Sequence, residues 1–462
     1  MTPTPYSTYR SYRSSGRRPG YRRGRGPRSG LAFAVPALLA LVCTGVVAAV
    51  VLGQMGVQVP GARRVQTYVN ALPLPWKAPR PEFVPAPEAP LTAAAQAPAP
   101  AAAQTGAQPA VAAATPVPQQ PTPAPTSQPL AAPAPPAVAP AVAPAPAAGF
   151  APAPASFRLN GFRHQYQTWN NCGPATITMA MSHFGRTEQQ AQAAPFLKPN
   201  ADDKNVSPNE LVDYVRSVGM QADYRVGGDL DRLKLLLTNG VPVVVETWFT
   251  PAPNDGMGHY RLLVGYDDAP GRFVAYDSYE PPGMNVSIPY GAFDADWRVF
   301  NRTYIPVYTA ELAPTVAAIL GQDVDDGAMW ERALGAARQE VAANGNDAFG
   351  WYNVGASLVA LNRTGEAVQA FDRARALRLP WRMLWYQFQP FEAYLAEGRL
   401  NDVMTLAQAN LQQTNDLEES HYFRGKALQA QGQPAAARGE FQAALRANPR
   451  FAPASYALST LA

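Results

Sequence analysis

Cysteine is nearly absent from this chain: 462 residues hold two, Cys43 and Cys172. Cys43 lies inside an uncharged apolar run, so a disulfide-stapled fold is excluded and Cys172 stands as a lone thiol. Acidic residues are missing from the start of the chain, the first being Glu82, while eight arginines fall between Arg10 and Arg28. Without that arm the rest is near neutral, which removes the basic surface that nucleic-acid binding needs. Charge of either sign is missing between Ala89 and Phe157. Histidine is scarce, with four in all, at 164, 183, 259 and 421. No metal-ligand spacing and no cofactor fingerprint is present, so neither a metal nor a cofactor is expected.

The segments follow from these gaps. Residues 1–30 are rich in Arg, Gly, Ser and Tyr, cannot bury a core, and are expected to form a disordered basic arm. The uncharged run 31–52 spans 22 residues, and a bilayer core takes about 20 as a helix. Arginines before it and none within it predict a transmembrane helix over 31–53. The arm then lies in the cytoplasm, and everything after the helix lies outside the cell membrane. A cleaved signal peptide is the rival, but its apolar region is usually only about 7–15 residues. Residues 54–156 read as a juxtamembrane piece followed by an Ala/Pro-rich linker. Its composition favours extended polyproline-like chain, a spacer able to hold the next domain well over about 100 Å from the bilayer.

Folded sequence begins near Phe157. Asn171-Cys172-Gly173-Pro174 opens a helix, with Pro174 in the first turn and Gly185 at its end. Ser207-Pro208-Asn209-Glu210 is a capping box for a second helix, stopping at Gly219. Asp229 caps a third, ended by Gly240. After that, 241–249, 259–266, 272–277, 285–288 and 303–308 read as strands between Pro, Gly and Asp turns. Helices first and sheet second predicts an α+β domain over 157–310. From 325 to 462 the pattern is helical. One window reads Trp351, Gly355, Ala367, Phe371 and Ala374; in another, Gly425, Ala437, Phe441 and Ala444 repeat the last four 70 residues later, followed by Pro449. That spacing is close to twice the tetratricopeptide period of about 34. It predicts an all-α tetratricopeptide (TPR) solenoid with a degenerate middle copy, suited to binding a protein partner.

A cysteine at a helix N-terminus meets partial positive charge and unpaired N–H groups, which favour thiolate. Cys172 is therefore the candidate nucleophile. Of the histidines, His183 lies eleven residues along the same helix, about 16 Å away at 1.5 Å per residue, and is out of reach. His421 lies in the repeats. His259 follows Gly256-Met257-Gly258 at a strand start and is the favoured base; His164 remains possible. Asp277 ends the next strand, and antiparallel pairing returns it towards His259, where a carboxylate would fix the imidazole. Asp267 and Asp268 belong to the turn between. An amide upstream of the nucleophile, Gln167 or Gln165, would serve as oxyanion donor with the Cys172 N–H. Gln167 is preferred, and Trp169 would wall the cleft.

Gln-Thr-Trp-Asn-Asn-Cys-Gly-Pro-Ala-Thr at 167–176, Gly-His-Tyr at 258–260, Gly-Tyr-Asp from 265 and Tyr-Asp-Ser to 278 resemble the C39-like peptidase family. Its members are papain-fold cysteine peptidases related to the bacteriocin-processing domain of certain exporters. The resemblance covers about 157–310. It implies an α+β papain-like domain with Cys172 as nucleophile, His259 as base, Asp277 as orienting carboxylate and a glutamine oxyanion donor. The exporter domains place that glutamine six residues before the cysteine, where this chain has Tyr166. They also carry an ATP-binding domain, but this chain has no phosphate loop, so the exporter function does not transfer. The sequence thus leads to a membrane-anchored, extracytoplasmic thiol peptidase. The alternatives are a non-catalytic peptide-binding module and a repeat scaffold.

Overall fold

The computed structural model describes residues 83–87, 149–200, 203, 205–250, 256–414 and 416–461. The basic arm, the proposed transmembrane run and most of the Ala/Pro tract lie outside these. Among the described residues no helix is long and apolar enough to cross a membrane. The peptidase-like and helical parts share one compact unit, Pro75–Ala462.

Two of the helix starts follow their capping chemistry. Ser207 accepts from the Glu210 N–H at 3.3 Å and its own N–H donates to the Glu210 carboxylate at 2.7 Å. That closes the reciprocal box that opens Pro208–Ser217. Asp229 accepts from the Arg232 N–H at 2.7 Å and opens Leu230–Thr238. Both helices run into a glycine at positive φ, Gly219 at 82° and Gly240 at 84°, where a side chain would be strained. We label the helices of this part α1 (Cys172–Ser182), α2 (Gln190–Leu197), α3 (Pro208–Ser217), α4 (Leu230–Thr238), α5 (Tyr290–Trp297) and α6 (Ala313–Leu320). The sequence pattern missed α2, α5 and α6. α2 holds Pro195, which reads as a breaker, and its cap is a glutamine.

The strands are β1 (Ser156–Arg158), β2 (Gln221–Ala222), β3 (Val243–Phe249), β4 (Met257–Asp267), β5 (Arg272–Asp277), β6 (Val286–Pro289) and β7 (Tyr304–Tyr308). They form one antiparallel sheet in the order β2-β7-β3-β4-β5-β6, with β1 paired to the far end of β4. β3 carries Val243-Val244-Val245, buried on both faces as a central strand must be. Val244 packs with α1, α2 and α3 on one side; Val243 and Val245 pack with α4, α5 and α6 on the other. The first folded domain therefore extends past 310 to include α6.

β4 outruns β5. Asp277 closes β5 opposite Arg261, so residues 257–260 of β4 pair only with β3. Gly173–Ser182 of α1 are all buried, and this central helix brings its N-terminus to that unpaired edge.

Beyond the sheet come α7 (Asp326–Ala343), α8 (Ala348–Ala360), α9 (Thr364–Ala376), α10 (Gln389–Ala396), α11 (Leu400–Gln413), α12 (Glu418–Ala430), α13 (Pro434–Ala447) and α14 (Ala452–Thr460). The two echoed windows pack alike. A Cβ on Gly355 would lie 2.6 Å from the Phe371 ring, and one on Gly425 would lie 2.6 Å from the Phe441 ring. Each glycine lets its hairpin partner's aromatic ring rest on helix backbone. The helical part shares a core with the sheet domain: Trp248, Val299 and Phe300 pack among Phe349, Tyr352 and Tyr386. Asn301 and Asn353 tie the same junction, to the Ser357 hydroxyl at 3.0 Å and the Arg298 carbonyl at 2.6 Å.

Both flanks of the Ala/Pro tract rest on this body. The Val84 N–H donates to the Leu379 carbonyl at 2.8 Å. At the other end Ala151 exchanges hydrogen bonds with Asn239, and the Tyr266 hydroxyl donates to the Pro154 carbonyl at 2.8 Å.

Candidate active site

The loop before Cys172 is built to present it. Asn170 adopts φ 54°, a left-handed conformation that asparagine tolerates. The Asn171 N–H then donates back to the Thr168 carbonyl at 3.0 Å. α2 braces this turn from outside. Gln190 accepts from the Thr168 N–H at 2.7 Å and donates to the Tyr166 carbonyl at 2.7 Å. Buried Lys198 donates to the Asn170 carbonyl at 3.1 Å and to the Asn171 side chain at 3.3 Å. Sequence reasoning missed both braces, because they come from a helix it did not see.

Cys172 is the first residue of α1 and a free thiol. Its sulfur meets the His259 ring, the Tyr260 N–H and the charge of Lys198. Burial pushes the thiol up, but these three outweigh it and hold Cys172 below its ordinary value. The Tyr260 N–H is available because β5 has already ended.

His259 and Asp277 share a sheet face. Asp277 lies directly opposite Arg261, so His259, two residues earlier on β4, is its diagonal neighbour. His259 Nε2 lies 3.0 Å from Asp277 Oδ1, which leaves Nδ1 as the ring atom for the thiol. Asp277 is fully buried and also accepts from the N–H groups of Tyr279 at 2.7 Å and Glu280 at 2.9 Å, and from Arg261 Nε at 2.9 Å. Burial raises its carboxyl, but His259 and those N–H donors reverse this and hold it well below the usual carboxylate range. For His259, burial disfavours the cation, while Asp277 and Cys172 favour it more and raise its pKa to about 9. Cysteine down and histidine up describe a thiolate–imidazolium pair. Arg261 also escaped the sequence reading, although its position two residues after His259 on an alternating strand was its signal. Its Nη1 donates to the Thr247 hydroxyl at 3.1 Å and its Nη2 to Glu280 at 3.0 Å.

The two candidate glutamines differ in what their amides already do. Gln165 donates to the Thr178 hydroxyl at 2.7 Å and accepts from the Gln190 N–H at 2.9 Å, so both ends are used. Gln167 accepts from the Ser278 hydroxyl at 2.8 Å, and its N–H donates to the Ser278 carbonyl at 2.8 Å. Only its oxygen is committed, and its NH₂ makes no hydrogen bond among the described residues. Tyr166, six residues before Cys172, is 52% exposed. The other histidines are elsewhere. His164 Nε2 lies 2.8 Å from the Asp277 backbone carbonyl, His183 contacts the Asn160 carbonyl and His421 contacts Glu440. Asp268 pairs with Lys234 at 2.8 Å, and Asp267 lies 3.9 Å from Arg272.

Exposed aromatic side chains rim the site: Tyr166, Trp169 and Tyr279, the last packing edge-on against the His259 ring. The helical part also reaches it. A Cβ on Gly258 would lie 3.2 Å from the Tyr386 ring. Burial first, then Cys172 and Glu246, push the Tyr386 hydroxyl above its ordinary value, against Arg382 and the Gly258 N–H. Glu246, buried on β3, has its carboxyl pushed well up by burial and by the charge of Cys172. Among the described residues no group of three His, Cys, Asp or Glu side chains is placed to hold a metal ion.

Residues 159–305 match the model of the Peptidase_C39-like family. No curated protein matches the chain. Among solved structures, the chain is similar to the peptidase domain of Streptococcus ComA, a bi-functional ABC transporter involved in a quorum-sensing pathway. That likeness has 13% identity and a TM-score of 0.27, and covers 32% of this chain and 99% of that one. A C39-like peptidase from Bacillus anthracis follows at 15% identity and TM-score 0.28, covering 33% and 98%. Xylellain, a cysteine protease from Xylella fastidiosa, has 14% identity and TM-score 0.28, covering 34% and 87%.

Proposed function

We propose that residues 149–324 are a thiol peptidase that cleaves peptide bonds through Cys172, His259 and Asp277. The observation that carries this is the continuous chain from buried Asp277 through His259 to the thiol at the tip of α1. The Cys172 thiolate attacks the scissile carbonyl, and the imidazolium at Nδ1 gives its proton to the leaving amine. Water, deprotonated by the same nitrogen, then hydrolyses the thioester and restores the ion pair. Asp277 holds the ring and its tautomer. The Cys172 N–H, unpaired in the first turn of α1, and the Gln167 NH₂ stabilise the tetrahedral oxyanion. Transfer of the acyl group to an amine instead of water would use the same residues.

The remaining parts of the reading come from sequence. Residues 31–53 anchor the protein in the cell membrane with its N-terminus inside and its folded part outside. The helical part is a TPR array that binds a protein or peptide partner. Its matched Gly355–Phe371 and Gly425–Phe441 contacts support a repeated hairpin. Incubating the full chain with a peptide library tests the peptidase reading. Cys172→Ala is expected to abolish cleavage; full cleavage by that variant would refute the assignment.

A further inference from the structure

The extended segment Phe83–Pro87 sits on the edge of the helical part, and the contacts there make a built seat. Phe83 pairs with Pro380 as an antiparallel bridge. Val84, 4% exposed, joins the core formed by α7 to α11. The Phe83 ring lies under the Arg378 guanidinium, 4.1 Å from its centroid, a cation–π contact.

The key residue is Arg375 on α9. Its Nη1 is fixed by Asp402 at 2.6 Å, and Asp402 is held in turn by Arg399 at 2.8 Å. The rest of the fork faces the segment: Nε donates to the Pro85 carbonyl at 2.8 Å and Nη2 to the Ala86 carbonyl at 2.9 Å. A guanidinium offers donors only, in a planar fork. A proline offers a carbonyl and no N–H. An arginine fork over successive carbonyls therefore suits an extended proline-containing peptide.

We propose that Arg375, Arg378 and the Leu379–Pro380 edge form a docking seat for an extended Val-Pro-Ala-Pro peptide. Its resident ligand is this chain's own residues 83–87. Roughly 60 residues join Pro87 to Gly149, and both ends are seated on the same body, so effective concentration favours the docked state even for a small contact. The seat thus acts as a latch on the segment. The latch does not depend on the peptidase reading.

Cysteine cross-linking in the full chain tests it. Bridge partners lie about 4.5–5.5 Å apart between Cα atoms, within disulfide range. Phe83→Cys with Pro380→Cys, in a chain carrying Cys43→Ser and Cys172→Ser, is expected to cross-link under mild oxidation at least tenfold faster than a control with Ala110→Cys and Pro380→Cys. Val84→Asp added to the first pair should bring its rate down to that of the control. Equal rates for the two cysteine pairs, or no effect of Val84→Asp, would overturn the latch and leave the peptidase assignment untouched.

Discussion

Asp277→Asn separates the charge of this carboxylate from its shape. The amide oxygen can still accept from His259 Nε2 at the Oδ1 position, while the NH₂ takes the place of the oxygen that accepts from Arg261 Nε, so the ring keeps its partner while the negative charge goes. His259 stands at about 9 against an ordinary 6.5. At about 1.4 kcal/mol per unit, that is roughly 3 kcal/mol favouring the buried imidazolium over neutral imidazole. Burial alone would push the ring the other way, so removing the opposing charge should return it below its present value. A histidine raised on folding keeps its cation below the ordinary value and loses it as pH climbs through the folded one. The native protein should therefore hold the ion pair until about pH 9, and kcat/KM on a fluorogenic peptide should fall above that. In Asp277→Asn the alkaline limb should move down by at least about one unit. Thiolate absorbance at 240 nm, followed against pH, should show a raised Cys172 titration. An alkaline limb at the same pH in both proteins would refute the argument that Asp277 sets the His259 charge.

Gln167→Ala is expected to lower kcat by about 10²–10³ with little change in KM, as loss of an oxyanion donor does. Gln165→Ala should instead lower Tm, because that side chain ties the loop to α1 and α2. Gly425→Ala sets two effects against each other. Alanine favours a helix interior by about 1 kcal/mol, whereas overpacking costs about 1–3 kcal/mol. With the new Cβ 2.6 Å from the buried Phe441 ring, the clash should win and the Tm by circular dichroism should fall. Gly439→Ala, which meets nothing within 4 Å, should raise it.

Much of the site was readable because its parts announce themselves locally. Cys172 is the only thiol outside the apolar run, and Asn171-Cys172-Gly173-Pro174 is a helix start. Ser207 and Asp229 are caps whose chemistry needs no tertiary partner. Strand alternation and a short turn brought Asp277 towards His259 in sequence but left the register between them open; the Arg261–Asp277 pairing sets it. What stayed hidden depended on neighbours. The choice of Gln167 over Gln165 turns on Thr178, Gln190 and Ser278, none of which a local pattern links to either glutamine. α2 was masked by Pro195, and with it went the Lys198 and Gln190 braces. Tyr386 lies 127 positions from His259, so nothing in the sequence places it over Gly258. Likewise 83–87 read as the start of a spacer because its seat is built by residues nearly three hundred positions later.

Trp248, Val299 and Phe300 belong to the sheet domain in sequence, yet they pack among residues of the helical part. A peptidase fragment ending before α7 would turn these side chains to water and remove the ring that rests on Gly258. The thiol and imidazole would keep their strands and helix but lose the floor under the segment that carries His259. The sheet domain and the helical part thus share one core, and neither closes its own packing without the other.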